Sequence, residues 1–230
     1  MRRRVPWKRE LTDVDYTVRS MQACAWVQGG YIVTCTGDLE FICPDEVCVR
    51  WSVKTGVTFI NEDMATLLAE AELILAKQEA MRFLAISAKS AYQLRTALKQ
   101  RGFSTQAITN AEERMLQLGY INDLVYARNA VAKMQGAGQR GIIAIKAALA
   151  GKGVPAAIIA QVLAQTDDEA ERSKALALAE HKMASYKDAE PAASRRRLAG
   201  FLSRRGFSAD IVNWCLARLF SDDDSMDAFS

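Results

Sequence analysis

The residues best suited to metal binding or nucleophilic chemistry are Cys35, Cys43 and Cys48 in the N-terminal third and a single histidine, His181. A structural zinc site takes four ligands, usually in closely spaced pairs. With Cys24 and Cys215 the chain has five cysteines, none in a CxxC pair. No fourth ligand accompanies the clustered three, and Cys35 and Cys43 have apolar neighbours, so they read as core thiols. His181 lies in the polar helical context AEHKMA and reads as an exposed helix residue. Gly136, Gly138 and Gly141 cluster without the lysine of a phosphate-binding loop and read as the approach to a helix over 142–152. HExxH and GxSxG are absent. These residues point to no catalytic group, no metal and no cofactor; the chain is expected not to be an enzyme.

The chemistry that remains is recognition by charge. Arg195, Arg196, Arg197, Arg204 and Arg205 lie within eleven residues that contain no acid. A guanidinium pairs with phosphate or carboxylate. The run sits in an uneven charge distribution. Residues 1–76 carry 8 Lys and Arg against 11 Asp and Glu, residues 77–220 carry 22 against 12, and residues 221–230 carry none against 4. Such a field favours a polyanion or an acidic protein surface. The candidate partner-binding set is Arg101, Arg140, Lys146, Lys152, Arg195, Arg196, Arg197, Arg204 and Arg205. Arg101, Lys152 and Arg205 also fall where a cation complements a helix C-terminus. Aromatic residues do not interleave with these clusters in sequence as a single-strand stacking platform requires. Phe103, Val154 and Phe207 read as core.

The elements that must position these side chains are mostly helical. Three segments align: LRTALKQRGFSTQAI (94–108), IKAALAGKGVPAAII (145–159) and LAGFLSRRGFSADIV (198–212). Their shared glycines, Gly102, Gly153 and Gly206, are 51 and 53 residues apart, the near-constant period of a repeat. Leu94/Leu98, Ile145/Leu149 and Leu198/Leu202 are i, i+4 pairs on one helix face. A basic residue then ends the helix, Gly takes the left-handed position beyond it, and Ser104, Ser208 or Pro155 starts the next. A further helix precedes each motif, opened by Asn122-Asp123 in the second copy and by a capping box over Thr166–Glu169 in the third. Ahead of the repeats, YIVTCT, LEFIC and VCVRWSV read as three strands joined at Gly37-Asp38 and Pro44-Asp45. A sheet this small needs a cover, and the helix starting at Asn61 is the nearest candidate.

The expected fold is therefore mainly α: three tandem three-helix repeats with a small antiparallel β N-terminal region. The expected boundaries are a basic flexible arm (1–20), a β meander (21–60), a linking helix with repeat 1 (61–121), repeat 2 (122–166), repeat 3 (167–220) and an acidic tail (221–230). No apolar stretch is long enough to span a membrane. The basic N-terminus lacks the apolar core of a secretory signal. Unpaired cysteines suit a reducing cytoplasm, and a monomer is expected.

The segments GYINDLVYA (119–127), GQRGIIAIKAALAGKGV (138–154) and RRRLAGFLSRRGFSADIV (195–212), in this order and spacing, resemble RecX, the bacterial regulators of the RecA recombinase. The resemblance covers roughly residues 31–220, and KTGVTFINEDMATLLAEAE resembles the longer members. It implies tandem three-helix repeats that bind RecA and the RecA–single-stranded DNA filament in its groove, restraining ATP hydrolysis and strand exchange without activity of their own. Where the family has RxRSxxEL, this chain has SAKSAYQL (87–94), with Ser87 and Lys89 in place of the arginines and Gln93 in place of the acid; Ser90 and Gln93 keep the spacing of a capping box. The second reading is a nucleic-acid-binding helical repeat protein with no role at RecA, carried by the arginine run.

Overall fold

A computed structural model of the chain describes residues 11–220 other than 26, 28, 137–138, 165 and 187–189. Residues 1–10 of the expected basic arm, the acidic tail and Gly138 lie outside the described residues. The chain divides into two compact units, one ending at Asn122 and one beginning at Asp123.

The first unit opens with strands β1 (Tyr16–Ala23), β2 (Gly30–Cys35) and β3 (Glu40–Pro44). A two-residue strand β4 (Thr58–Phe59) returns to the free edge of β1. The sheet is antiparallel in the order β3-β2-β1-β4. YIVTCT and LEFIC are thus strands, as expected, and Gly37 turns between them with φ 68°. Two expectations fail. The sheet starts at Tyr16, inside the expected arm, because Tyr16 and Val18 are core side chains.

VCVRWSV is not a strand: Asp45–Arg50 form helix α1. Pro44 holds φ −63° at its N-cap, and Asp45 and Glu46 fill the first turn, where carboxylates meet the positive helix end. These local start signals outweigh the β-branched composition that follows.

Helix α2 (Asn61–Ile86) covers the sheet, packing on β3 and α1, and then serves as the first helix of repeat 1 with α3 (Ala91–Arg101) and α4 (Thr105–Gln117). One apolar core runs from Tyr16 and Phe41 through Met64, Leu67 and Leu75 to Leu94, Leu98 and Met115. The meander and repeat 1 are accordingly one folding unit. Cys35 and Cys43 are fully buried in this core. Burial pushes the Cys35 thiol up to about 11. Helix α2 starts at Asn61, as expected, with Ile60 in the N-cap position. Ser90 and Gln93 form the expected capping box of α3.

The second unit holds repeat 2, with α5 (Asp123–Gln135), α6 (Ile142–Gly151) and α7 (Ala156–Leu163). Repeat 3 follows, with α8 (Asp168–Met183), α9 (Pro191–Arg205) and α10 (Ala209–Phe220). Pro155 caps α7 from the N-cap position rather than N1. Asp167, not Thr166, caps α8, its side chain accepting from the Glu169 N–H.

The repeat signature has one geometry in all three copies. Gly102, Gly153 and Gly206 have φ of 94°, 71° and 86°. The next residue's N–H reaches back to the carbonyl of the buried motif leucine: Phe103 to Leu98 (3.4 Å), Val154 to Leu149 (3.1 Å), Phe207 to Leu202 (3.3 Å). This is the Schellman closure of a helix, and the residue after Gly turns into the core.

The copies differ in what surrounds the glycine. A Cβ at Gly102 would meet open space, whereas at Gly206 it would overlap Ala144 of repeat 2. Gly102→Ala is expected to cost only the left-handed backbone penalty, about 1–2 kcal/mol. Gly206→Ala adds an overlap worth about another 1–3 kcal/mol. Urea unfolding of both variants followed by circular dichroism checks this; equal losses would refute the close approach at Gly206.

Candidate partner-binding surface

Repeats 2 and 3 have separate apolar cores, one around Ile145 and Leu149, the other around Leu198, Leu202 and Cys215. What joins them is polar. Helix α6 begins with N–H groups that its own carbonyls cannot reach, and repeat 3 takes three of them. Gly141 N–H donates to the Arg205 carbonyl (3.0 Å) and Ile143 N–H to the Gly206 carbonyl (3.1 Å). Ile142 N–H donates to Glu171 Oε1 (2.9 Å). A Cβ at Gly141 would strike the Gly206 backbone, so glycine at both positions is what lets the chains touch. The sequence marks Gly141 only as part of a loop cluster; its partner across the joint is out of reach of local pattern.

This joint brings together candidates that are far apart in sequence. Arg140, exposed in the loop before α6, is set beside Arg205 at the end of α9. Lys146 is exposed further along α6, and Lys152 is the half-buried residue that caps it.

On α9 the arginines fan out. At about 100° per residue, Arg195 and Arg197 point to nearly opposite sides, while Arg197 and Arg204 share a flank with Phe201 between them. Arg195, Arg196, Arg197 and Arg204 are exposed. The Arg204 guanidinium folds back over Gly200, 3.1 Å from where a side chain there would begin. Arg205 is half-buried and lies over the Phe201 ring at 5.3 Å.

Arg101 is placed differently. Its Nε lies 2.9 Å from Glu79 Oε1, and its guanidinium stands over the Phe83 ring at 5.6 Å. Glu79 also holds Arg82 (2.6 Å), Glu112 holds Arg95 (2.9 Å) and Glu70 holds Arg50. Arg50, Arg82, Arg95 and Arg101 of the first unit are thus met by carboxylates within it. Arg140, Lys146, Arg195, Arg196, Arg197 and Arg204 pair with no carboxylate among the described residues. The structure separates Arg101 from these six by charge state of the surroundings, which its position before the turn glycine does not reveal.

Sequence reasoning missed the aromatic partners. Lys182 Nζ stands over both Tyr186 (5.2 Å) and Phe201 (5.7 Å), and Arg218 over Trp214 (5.7 Å). The three rings are half-buried. The sequence signals are i, i+4 spacing, Lys182/Tyr186, Phe201/Arg205 and Trp214/Arg218, and the place of Phe201 inside the run 195–205. The expectation that aromatics stay apart from the basic cluster is therefore corrected for repeat 3. Each ring follows or precedes its cation by one helical turn, a proximity invisible to a search for adjacent residues.

Residues 76–115 match the family model described as RecX, first three-helix domain, and residues 169–216 match RecX, third three-helix domain. The regulatory protein RecX of Trichlorobacter lovleyi is 36% identical over 124 residues, which cover 52% of this chain and 79% of that protein. The chain belongs to the RecX family. The regulatory protein RecX of Clostridium perfringens is 27% identical over 186 residues, covering 80% of this chain and 86% of the relative. That of Bacillus cytotoxicus is 26% identical over 178 residues, covering 77% of this chain and just 66% of the relative.

Two RecX crystal structures share the fold. A regulatory protein RecX superposes with a TM-score of 0.64 at 17% identity, covering 90% of this chain and 99% of that one. RecX from Lactobacillus salivarius gives 0.59 at 22%, covering 64% and 96%. The matched first and third RecX domains correspond here to α3–α4 with the end of α2 and to α8–α10, with α5–α7 between them. No helix among the described residues is long and apolar enough to cross a membrane.

Glu171 makes the RecX repeat joint sensitive to pH. Burial raises its pKa above the ordinary 4.5, with Asp168 adding to the rise and the Ile142 N–H and Lys174 opposing it. A carboxyl whose folded pKa is raised binds a proton in the native state where the unfolded chain has lost it. Stability therefore falls as pH rises from about 4.5 through the folded pKa. Glu171→Gln keeps an acceptor oxygen for Ile142 and removes the titration. The variant is expected to gain stability relative to the parent across that window as pH rises. Urea midpoints of both chains, measured from pH 4 to 7, check this; parallel profiles would refute it.

Proposed function

We propose that the chain is a non-enzymatic regulator that binds RecA and RecA–single-stranded DNA filaments and restrains their ATP hydrolysis and strand exchange. Family membership supports the regulatory role. The observation that carries the contact is a contrast in charge between the units: Arg50, Arg82, Arg95 and Arg101 of the first are met by internal carboxylates, whereas Arg140, Lys146 and the exposed arginines of α9 meet none among the described residues and can serve a partner. A RecA filament on DNA is strongly anionic, and an unpaired guanidinium has most to gain from it. The wider partner-binding set retains Arg101 and Lys152 as secondary positions, since both also close their own helices.

We assign the working site to residues 123–220, with the linking helix and repeat 1 built on the N-terminal sheet as a separate body. The chain would act as a monomer in the cytoplasm. Purified chain titrated into RecA with single-stranded DNA and ATP is expected to lower steady-state ATP hydrolysis, and Arg196→Glu/Arg197→Glu/Arg204→Glu to weaken that effect at least tenfold. Unchanged hydrolysis at a several-fold excess of the parent chain over RecA would refute the proposal.

A further inference from the structure

Repeat 3 combines two features on one flank that charge alone does not require. Arg197 and Arg204 lie a near-integral two turns apart, and Phe201 sits between them, half-buried, with Lys182 and Arg205 over its ring. Tyr186 extends the same cluster through Lys182. The joint adds Arg140, whose neighbour Gly141 is bonded to the Arg205 carbonyl. An acidic protein surface would need only the cations. Aromatic rings held half-exposed among cations suit unpaired bases, which stack on them, while arginines take the phosphates.

We propose that this face of repeats 2 and 3 is a contact for single-stranded nucleic acid. Arg140, Arg197 and Arg204 take backbone phosphates, and Phe201 and Tyr186 receive a base. In repeat 1 the cations over the Phe83 ring, Arg82 and Arg101, are held by Glu79, and Arg95 by Glu112. The inference rests on the regulatory reading only for its setting: it assigns nucleic acid, rather than RecA protein, to this face.

The test uses the full chain and a fluorescein-labelled oligo(dT), read by anisotropy over a range of salt concentrations. Arg140→Gln/Arg197→Gln/Arg204→Gln changes exposed side chains and should fold. It is expected to bind at least tenfold more weakly and to reduce the slope of log affinity against log salt by about 2, at about 0.7 per phosphate lost. Phe201→Leu should weaken binding about fivefold or more with the slope unchanged, the signature of lost stacking. Arg95→Gln, in repeat 1, should bind as the parent does.

Parent-level affinity and slope in the triple variant would overturn the proposal, as would failure of the parent to bind the oligonucleotide. A triple variant that binds DNA normally yet no longer restrains RecA would place an acidic protein surface here instead and also overturn it. If the oligonucleotide results hold while the parent leaves RecA hydrolysis untouched, the regulatory reading fails and this one stands.

Discussion

A helix begins with N–H groups that no carbonyl of its own can reach, and in a chain of short helices most ends must find a partner elsewhere. Here the start of α6 is seated on the turn that ends α9. Gly141 and Ile143 donate to backbone carbonyls there, and Ile142 donates to Glu171. The rest of the second unit depends on this arrangement. Repeats 2 and 3 bury separate cores, so apolar packing fixes each repeat internally and these bonds set one against the other. They also have a stricter geometric demand than apolar contact, since any Cβ at Gly141 or Gly206 would occupy the partner's backbone.

The first unit solves the same problem with side chains. Ser104 at the start of α4 gives both its N–H (2.6 Å) and its hydroxyl (2.8 Å) to Glu72 of α2. Four of its arginines, Arg50, Arg82, Arg95 and Arg101, go to Glu70, Glu79 and Glu112. Carboxylates are thus consumed holding helices and cations in place. In the second unit the analogous carboxylate, Glu171, is spent on a backbone amide, and the exposed arginines of α9 find no described carboxylate. A joint made from backbone leaves side-chain charge over. The fold and the binding chemistry are linked at that point.

Much of the fold was legible because its signals are local. The i, i+4 leucines, the basic residue and the glycine specify a helix end within about ten residues, and all three copies close with the same bond. Ser90 and Gln93 predict their own capping box. VCVRWSV misleads because its β-branched composition reads as a strand and Pro44-Asp45 as the turn before it, whereas Pro44-Asp45-Glu46 start a helix. The site was less legible. Arg101 and Arg205 occupy the same place in the repeat, yet one is held by Glu79 from α2 and the other flanks the joint. Glycine–glycine contact across 65 residues leaves no trace in periodicity, and cation–ring pairs one helical turn apart do not look like a cluster when read in line.

A shared motif and an unshared one therefore report different things. Gly102 and Gly206 have the same backbone conformation and the same closing bond, so the conformation belongs to the repeat. Only Gly206 has another helix against it, so the close approach belongs to that one place. The same reasoning separates the cations. A basic residue before each turn glycine is accounted for by the helix dipole in every copy. Arg195, Arg196, Arg197 and Arg204 have no counterpart set in repeats 1 and 2, and neither helix closure nor an ion pair among the described residues accounts for them. Keeping exposed like charges close together carries a repulsive cost that salt only partly screens. An anionic partner removes that repulsion, which is why binding at this surface should weaken as salt rises.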